Sequence, residues 1–275
     1  MLSVRPAAIA GSFYPGDAVV LARSVDALLA AAKPAVTATA RVPKAIIAPH
    51  AGYVYSGPVA ASLYARIAPA RARIKRVVLL GPAHRVAVHG MALPGVEAFA
   101  TPLGTVRVDA DAVKTLMALP YVGKSGEAHR QEHSLEVHLP FLQKVIDEFT
   151  LLPLAVGRAT AQQVAAVLDL LWGGDETLIV ISSDLSHYLP YVEAQAADSA
   201  TAQAILALRT DITHQQACGA TPVIGLNLLA RQRCLTPQLI DLRNSGDTAG
   251  DKARVVGYGA FAYFPNIACH EPAAH

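Results

Sequence analysis

The feature that most constrains the fold is a set of short apolar runs, each ending abruptly in polar residues and followed by a stretch of helical spacing. AIIA at 45–48, VVLLG at 77–81 and TLIVIS at 177–182 have the length and β-branched content of buried strands. LLPLAVG at 151–157 reads as a short strand and ARVVGYGAFAYF at 253–264 as the last one. Between them lie helical patterns. The segment from Gly16 to Lys33 has Asp17 near its start, and Gly57–Pro69 has Pro58 suited to a first turn. Helical spacing recurs at 161–173, at 191–209 and at 221–233, where Thr221 is expected as the cap and Pro222 as the first helical residue. The stretch from Ser134 to Phe149 reads as helix with a kink or restart at Pro140. Strands alternating with helices predict one α/β domain over residues 1–275, with a mostly parallel or mixed sheet covered on both faces. Residues 265–275 read as a frayed tail.

Composition narrows the partners. The 23 Lys and Arg residues against 21 acidic ones are scattered rather than striped, so no nucleic acid is expected. No apolar run is long enough to span a bilayer and the first residues do not make a signal-peptide core, so no membrane is expected either. Cys218, Cys234 and Cys269 are odd in number and form no CxxC pair, which fits a reducing cytoplasm. The oligomeric state is open.

In open α/β sheets ligands bind beyond the carboxyl ends of the strands, and the polar residues gather there. AIIAP delivers His50, VVLLGPA delivers His84, and LIVISS delivers Asp184 with His187 three residues on. If the strands before His50 and His84 are adjacent and parallel, the two imidazoles stand side by side, as a divalent metal requires. His187 is the expected third imidazole. With Asp184 as the carboxylate the set resembles non-haem iron sites, whereas three histidines and a water suit a hydrolytic zinc. Asp184 as a cap of the following turn is the competing reading. EHSLEVH at 132–138 is neither HExxH nor HxxEH, so no zincin is indicated. It fails the capping-box spacing too, and His133 is expected as a general acid/base or as an outer-shell group. A solvated helix face is the plain alternative for Glu132 and Glu136. Tyr53, Tyr55 and Glu132 are placed at the substrate side of the mouth. His89 and His129 read as loop histidines, Cys269, His270 and His275 as tail residues, and Cys218 as either a low-pKa thiol or an inert buried one. Residues 241–252 (DLRNSGDTAGDK) read as an irregular loop closing over the site.

Seven motifs in order, AGSFYP, PHAGYVYSG, GPAH, EHSLEVHLPFL, SSDLSHY, CGATPVIG and RNSGD followed by RVVGYGAFAY, resemble the Memo-like family, known in prokaryotes as AmmeMemoRadiSam system protein B. That family is similar in fold to LigB-type class III extradiol dioxygenases. The resemblance implies a metal-capable site carried by His50, His84, Asp184 and His187, with His133 in the acid/base neighbourhood. It also implies Fe(II) ahead of zinc or copper, oxidoreductase chemistry on an unknown substrate, and a radical-SAM partner system. Some animal relatives carry a cysteine before an Arg-Asn pair, where this chain has Leu242 before Arg243 and Asn244, which disfavours thiol-dependent copper chemistry. Relatives described as phosphopeptide adaptors imply an alternative, a binding module for an anionic ligand; a zinc-type hydrolase is the third reading.

Overall fold

A computed structural model describes residues 2–32 and 41–266. The strands, in chain order, are β1 (Val4–Arg5), β2 (Ala45–Ala48), β3 (Arg76–Pro82), β4 (Met91–Leu93), β5 (Ala98–Thr101), β6 (Gly104–Arg107), β7 (Val122–Lys124), β8 (Thr150–Val156), β9 (Thr177–Ser182), β10 (His187–Leu189), β11 (Leu235–Asn244) and β12 (Val255–Pro265). A nine-stranded mixed sheet runs β10-β12-β2-β9-β3-β8-β4-β7 with β11 on β12, and β1, β5 and β6 form a smaller sheet. Strands β2, β9, β3 and β8 are mutually parallel, while β12 and β4 flank them antiparallel. This is a single α/β domain.

Alternation along the central strands sorts the core into two layers. Ile46 and Ala48, with Val77 and Leu79, face one layer together with Val59, Leu63, Tyr64 and Phe141. Ile47, Val78 and Leu80 face the other with Val164, Val167, Val223 and Leu226. Both faces of the parallel strands are therefore dry, which is why they read as continuous apolar runs rather than alternating ones.

Several expectations need correction. Strands β2 and β3 are not neighbours: each pairs with β9, which arrives much later in the chain and inserts between them. The second helix starts at Tyr53 and runs to Tyr64, so Pro58 lies inside it rather than in its first turn. Its ring removes one backbone donor there, a loss the surrounding core packing absorbs. The helix Ala220–Gln232 is entered through Gly219, and no side chain caps it; the Thr221 hydroxyl instead sits 3.3 Å from His214 Nε2. Residues 241–252 are not simply a loop. Their first four residues finish β11, and Asn244 then caps the short helix Ser245–Thr248 in a reciprocal box with Asp247. The restart at Pro140 is present, in the first turn of the helix Leu139–Val145. Cys269, His270 and His275 lie outside the described residues.

Candidate metal centre

The site forms at the carboxyl ends of β2, β9 and β3. Two strands that straddle a third would sit about 10 Å apart, so their loops can converge only if the middle strand ends in something small. It does: β9 ends at Ser182, and beside it β3 carries Gly81. A Cβ on Gly81 would lie 2.8 Å from Ser134 Oγ and 3.1 Å from Ser182 Cβ, so only glycine lets these three elements meet. Over this floor the rings of His50 and His84 approach to 5.3 Å between centroids.

The third ring is His133, the first residue of the short helix His133–Glu136. It stacks on His84 at 4.6 Å and meets His50 edge-on at 5.4 Å. Ligand atoms of His50, His84 and His133 all lie within 4.8 Å of one another, a cluster able to hold a metal ion.

Each ring is oriented by a specific partner. Ser182 has one hydroxyl proton, which it donates to the Ser134 carbonyl at 2.6 Å. It must therefore accept from His50 Nδ1, also at 2.6 Å, which fixes the proton on Nδ1 and leaves a lone pair on Nε2. His84 Nδ1 lies 2.9 Å from Glu132 Oε1, and its backbone N–H donates to Oε2 at 2.6 Å. Burial acts to raise the Glu132 pKa, but hydrogen bonds from His84, the charge of that ring and the Ser134 backbone N–H outweigh it and hold the carboxyl at about 2. An ionised Glu132 only accepts, so His84 Nδ1 carries a proton and Nε2 is the nitrogen left for the cluster. His133 Nδ1 is 3.4 Å from the same carboxylate, without hydrogen-bond geometry, and is left as a buried nitrogen with no partner. Burial lowers His133 to about 4 and holds His50 well below the usual imidazole range. His50 and His133 are therefore neutral near pH 7.

The other expected residues divide. Asp184 is buried, takes the His50 backbone N–H at 2.7 Å and that of Ala51, and brings Oδ2 to 3.9 Å from His50 Nε2. Burial pushes its carboxyl up to about 7. It thus braces the loop carrying His50, a firmer tie than the capping of the following turn. His187 stands outside the three-ring group, exposed on edge strand β10 beside Tyr188, whose φ of 61° is left-handed. Tyr55 is exposed at the start of its helix, whereas Tyr53 is buried, donates to the Val137 carbonyl at 2.8 Å and packs on Tyr14 and Phe141, which makes it a core residue. Cys218 Sγ lies 3.4 Å from His50 Nε2; burial pushes the thiol up to about 12, so it is not a low-pKa thiol.

Glu132 and Glu136, for which a solvated helix face is the alternative reading, are both internal. Glu136 is fully buried and receives Arg5 at 2.5 Å, Tyr14 at 2.5 Å and the backbone N–H groups of Ala8 and Ile9. Arg5 also donates to the carbonyls of His129 and Glu132. The N-terminal segment is thereby bolted onto the helix that bears His133. Glu132 is no solvated residue either, since its side chain caps that helix at the Ser134 N–H. His129 is buried with Nε2 on the Ala92 carbonyl, not a loop histidine, while His89 is exposed. Sequence reasoning missed Ser182 and Ser134; the only signal was a hydroxyl adjoining each site motif. It also left Arg5 unassigned.

Residues 5–262 match the Memo-like protein family. The chain belongs to that family. It is 37% identical over 269 residues to a MEMO1 family protein of Aquifex aeolicus, covering 94% of this chain and 98% of that one. It is 34% identical over 278 residues to one of Metallosphaera sedula, covering 92% and 97%. Among solved structures, an uncharacterized protein of Escherichia coli K12, JW3007, superposes with a TM-score of 0.51 at 13% identity, covering 80% of this chain and 99% of that one. That likeness concerns the fold alone. Among the described residues no helix is long and apolar enough to cross a membrane.

Proposed function

We propose that this Memo-like protein is a metal-dependent oxidoreductase that holds a divalent ion, Fe(II) by preference, on His50, His84 and His133. The observation that carries the reading is the direction of the imidazole protons. The Nδ1 hydrogens of His50 and His84 are already spent on Ser182 and Glu132, so both rings keep Nε2 for a metal. Ring nitrogens left over in this way suit a Lewis acid better than an anion, which weighs against a module that binds an anionic ligand in this cluster. The orphaned nitrogen on His133 fits the same reading, since a buried polar atom without a partner costs about 1–3 kcal/mol until something satisfies it.

A bound ion would supply Lewis acidity and, as Fe(II), one-electron chemistry with O₂. The chain's own residues do the rest. Ser182 and Glu132 hold the rings in their tautomers, as outer-shell partners do in metal sites. Asp184, with its carboxyl near neutrality, exchanges a proton beside His50 at working pH. Tyr55 and His187 lie at the solvent side and serve the substrate, while the buried floor of Gly81, Ser134 and Ser182 excludes water. A radical-SAM partner system and a cytoplasmic setting belong to the same proposal.

Three imidazoles without a carboxylate ligand are equally the donor set of a hydrolytic zinc, and this is the one competing reading that the geometry favours. Anaerobic purification, reconstitution with Fe(II) or Zn(II) and mass spectrometric metal counting separate the two, followed by O₂ uptake against a panel of phenolic and peptide substrates. Stoichiometric iron lost in His50→Ala and His84→Ala, with O₂ consumption, is expected. Turnover that is undiminished without O₂ would establish the hydrolase, and metal binding unaffected by either substitution would sink both.

A further inference from the structure

A second concave site shares no residue with the histidine cluster. It is a cleft of about 530 Å³ between the β4–β5 connection, the end of β6, the helix Ala110–Leu116 and the sheet's edge strand β7. That volume lies in the range of about 300–1,000 Å³ typical of small-molecule sites. Its apolar lining includes Leu2, Val96 and Met117, of which Leu2 is 43% and Met117 44% exposed. Side chains of this size leave apolar surface in water unless something covers it.

Its polar lining is lopsided. Arg107, Lys114 and Lys124 come from three separate elements onto one cleft, and none forms an ion pair among the described residues. Glu97 is the one acid on the lining. Its carboxylate is already held by the Ser3 N–H at 2.8 Å and the Ser3 hydroxyl at 3.1 Å. Glu97 interacts with the charge of Arg107, while Lys114 and Lys124, exposed on the same lining, add two positive charges to a cleft with a single acid, an excess that an anion would offset. The lysine stems can lie along the apolar wall and still present their heads at the rim.

We propose that this cleft binds a free amphipathic anion, a carboxylate or phosphate head on a medium-length aliphatic chain, with the head among Arg107, Lys114 and Lys124 and the chain on Leu2, Val96 and Met117. Three cations are too few for a phosphate backbone, and the concave shape suits one chain rather than a flat bilayer surface. The site is separate from the metal centre, so it is a place for a second substrate, a product or an effector.

The test is calorimetric titration of the intact chain with decanoate and with decyl phosphate below their micellar concentrations, using decanol as the headless control. Saturable binding at one site per chain is expected, weakened at least about tenfold by Lys114→Glu with Lys124→Glu, and abolished by Met117→Asp. Adding a chelator should leave it unchanged. No saturable binding, equal binding of decanol, or indifference to the charge reversals would overturn the proposal. So would binding to phosphatidylglycerol vesicles without binding to the monomeric amphiphiles, which would make the patch a membrane-facing surface.

Discussion

Replacing Ser182 by Ala should damage the proposed metal centre without touching any of its three histidines. The hydroxyl accepts from His50 Nδ1 at 2.6 Å and donates to the Ser134 carbonyl at 2.6 Å, both fully internal contacts. Removing it leaves a buried N–H and a buried carbonyl unpaired, at about 1–3 kcal/mol for each group. His50 is only 2% exposed, so water has little access to replace the bond. Part of the cost can be escaped if His50 moves its proton to Nε2 and donates to Cys218 Sγ, 3.4 Å away. That escape takes the lone pair out of the cluster. Metal affinity should therefore fall by roughly 10–100-fold, the usual consequence of losing an outer-shell partner, and the metal-free protein should lose about 2–4 kcal/mol of stability. Isothermal titration with Co(II) or Zn(II) reads the first quantity and urea unfolding of the metal-free protein reads the second. A stability loss with unchanged metal affinity would refute the argument that Ser182 sets the tautomer of His50.

Three further outcomes follow from the same geometry. Hydrogen bonds and the charge of His84 hold Glu132 at about 2 in the fold against an ordinary 4.5, so its stabilising contribution is complete above about pH 4.5 and is lost as the pH falls toward 2; that difference corresponds to about 3 kcal/mol, and Glu132→Gln should flatten the acid limb of an unfolding curve in that window while weakening metal binding. Arg5→Ala should cost about 3–5 kcal/mol in urea unfolding because it strands the buried Glu136 carboxylate, and a loss under 1 kcal/mol would mean that water reaches Glu136. His133→Ala should reduce metal content of the purified protein to near that of His50→Ala, whereas His187→Ala should leave it unchanged and lower only turnover; the reverse order would make the edge-strand histidine the third ligand.

Much of this was legible in the chain because the parallel strands are dry on both faces. AIIA, VVLLG and TLIVIS could hardly be anything but central strands, and the loops after them had to hold whatever chemistry there was. What the local pattern could not give was lateral order. Periodicity describes a strand's faces, not its neighbours, so β2 and β3 looked adjacent when β9 separates them. The pairing of His50 with His84 survives because Gly81 and Ser182 keep the intervening floor low. The same blindness explains the third ring. His187 follows β9 by only a few residues and so seemed bound to converge, yet its strand leaves to pair with β12 at the sheet's edge. His133 sits on a short helix far from any of these strands in sequence. It reaches the cluster only because Arg5, Glu136 and the Glu132 cap clamp that helix to the N-terminal segment. The candidate metal centre depends on an ion pair, Arg5 with Glu136, that lies outside the three-histidine group. Mutations in AGSFYP or at Arg5 should thus reach the site through His133, and metal content is the quantity in which they would be seen first.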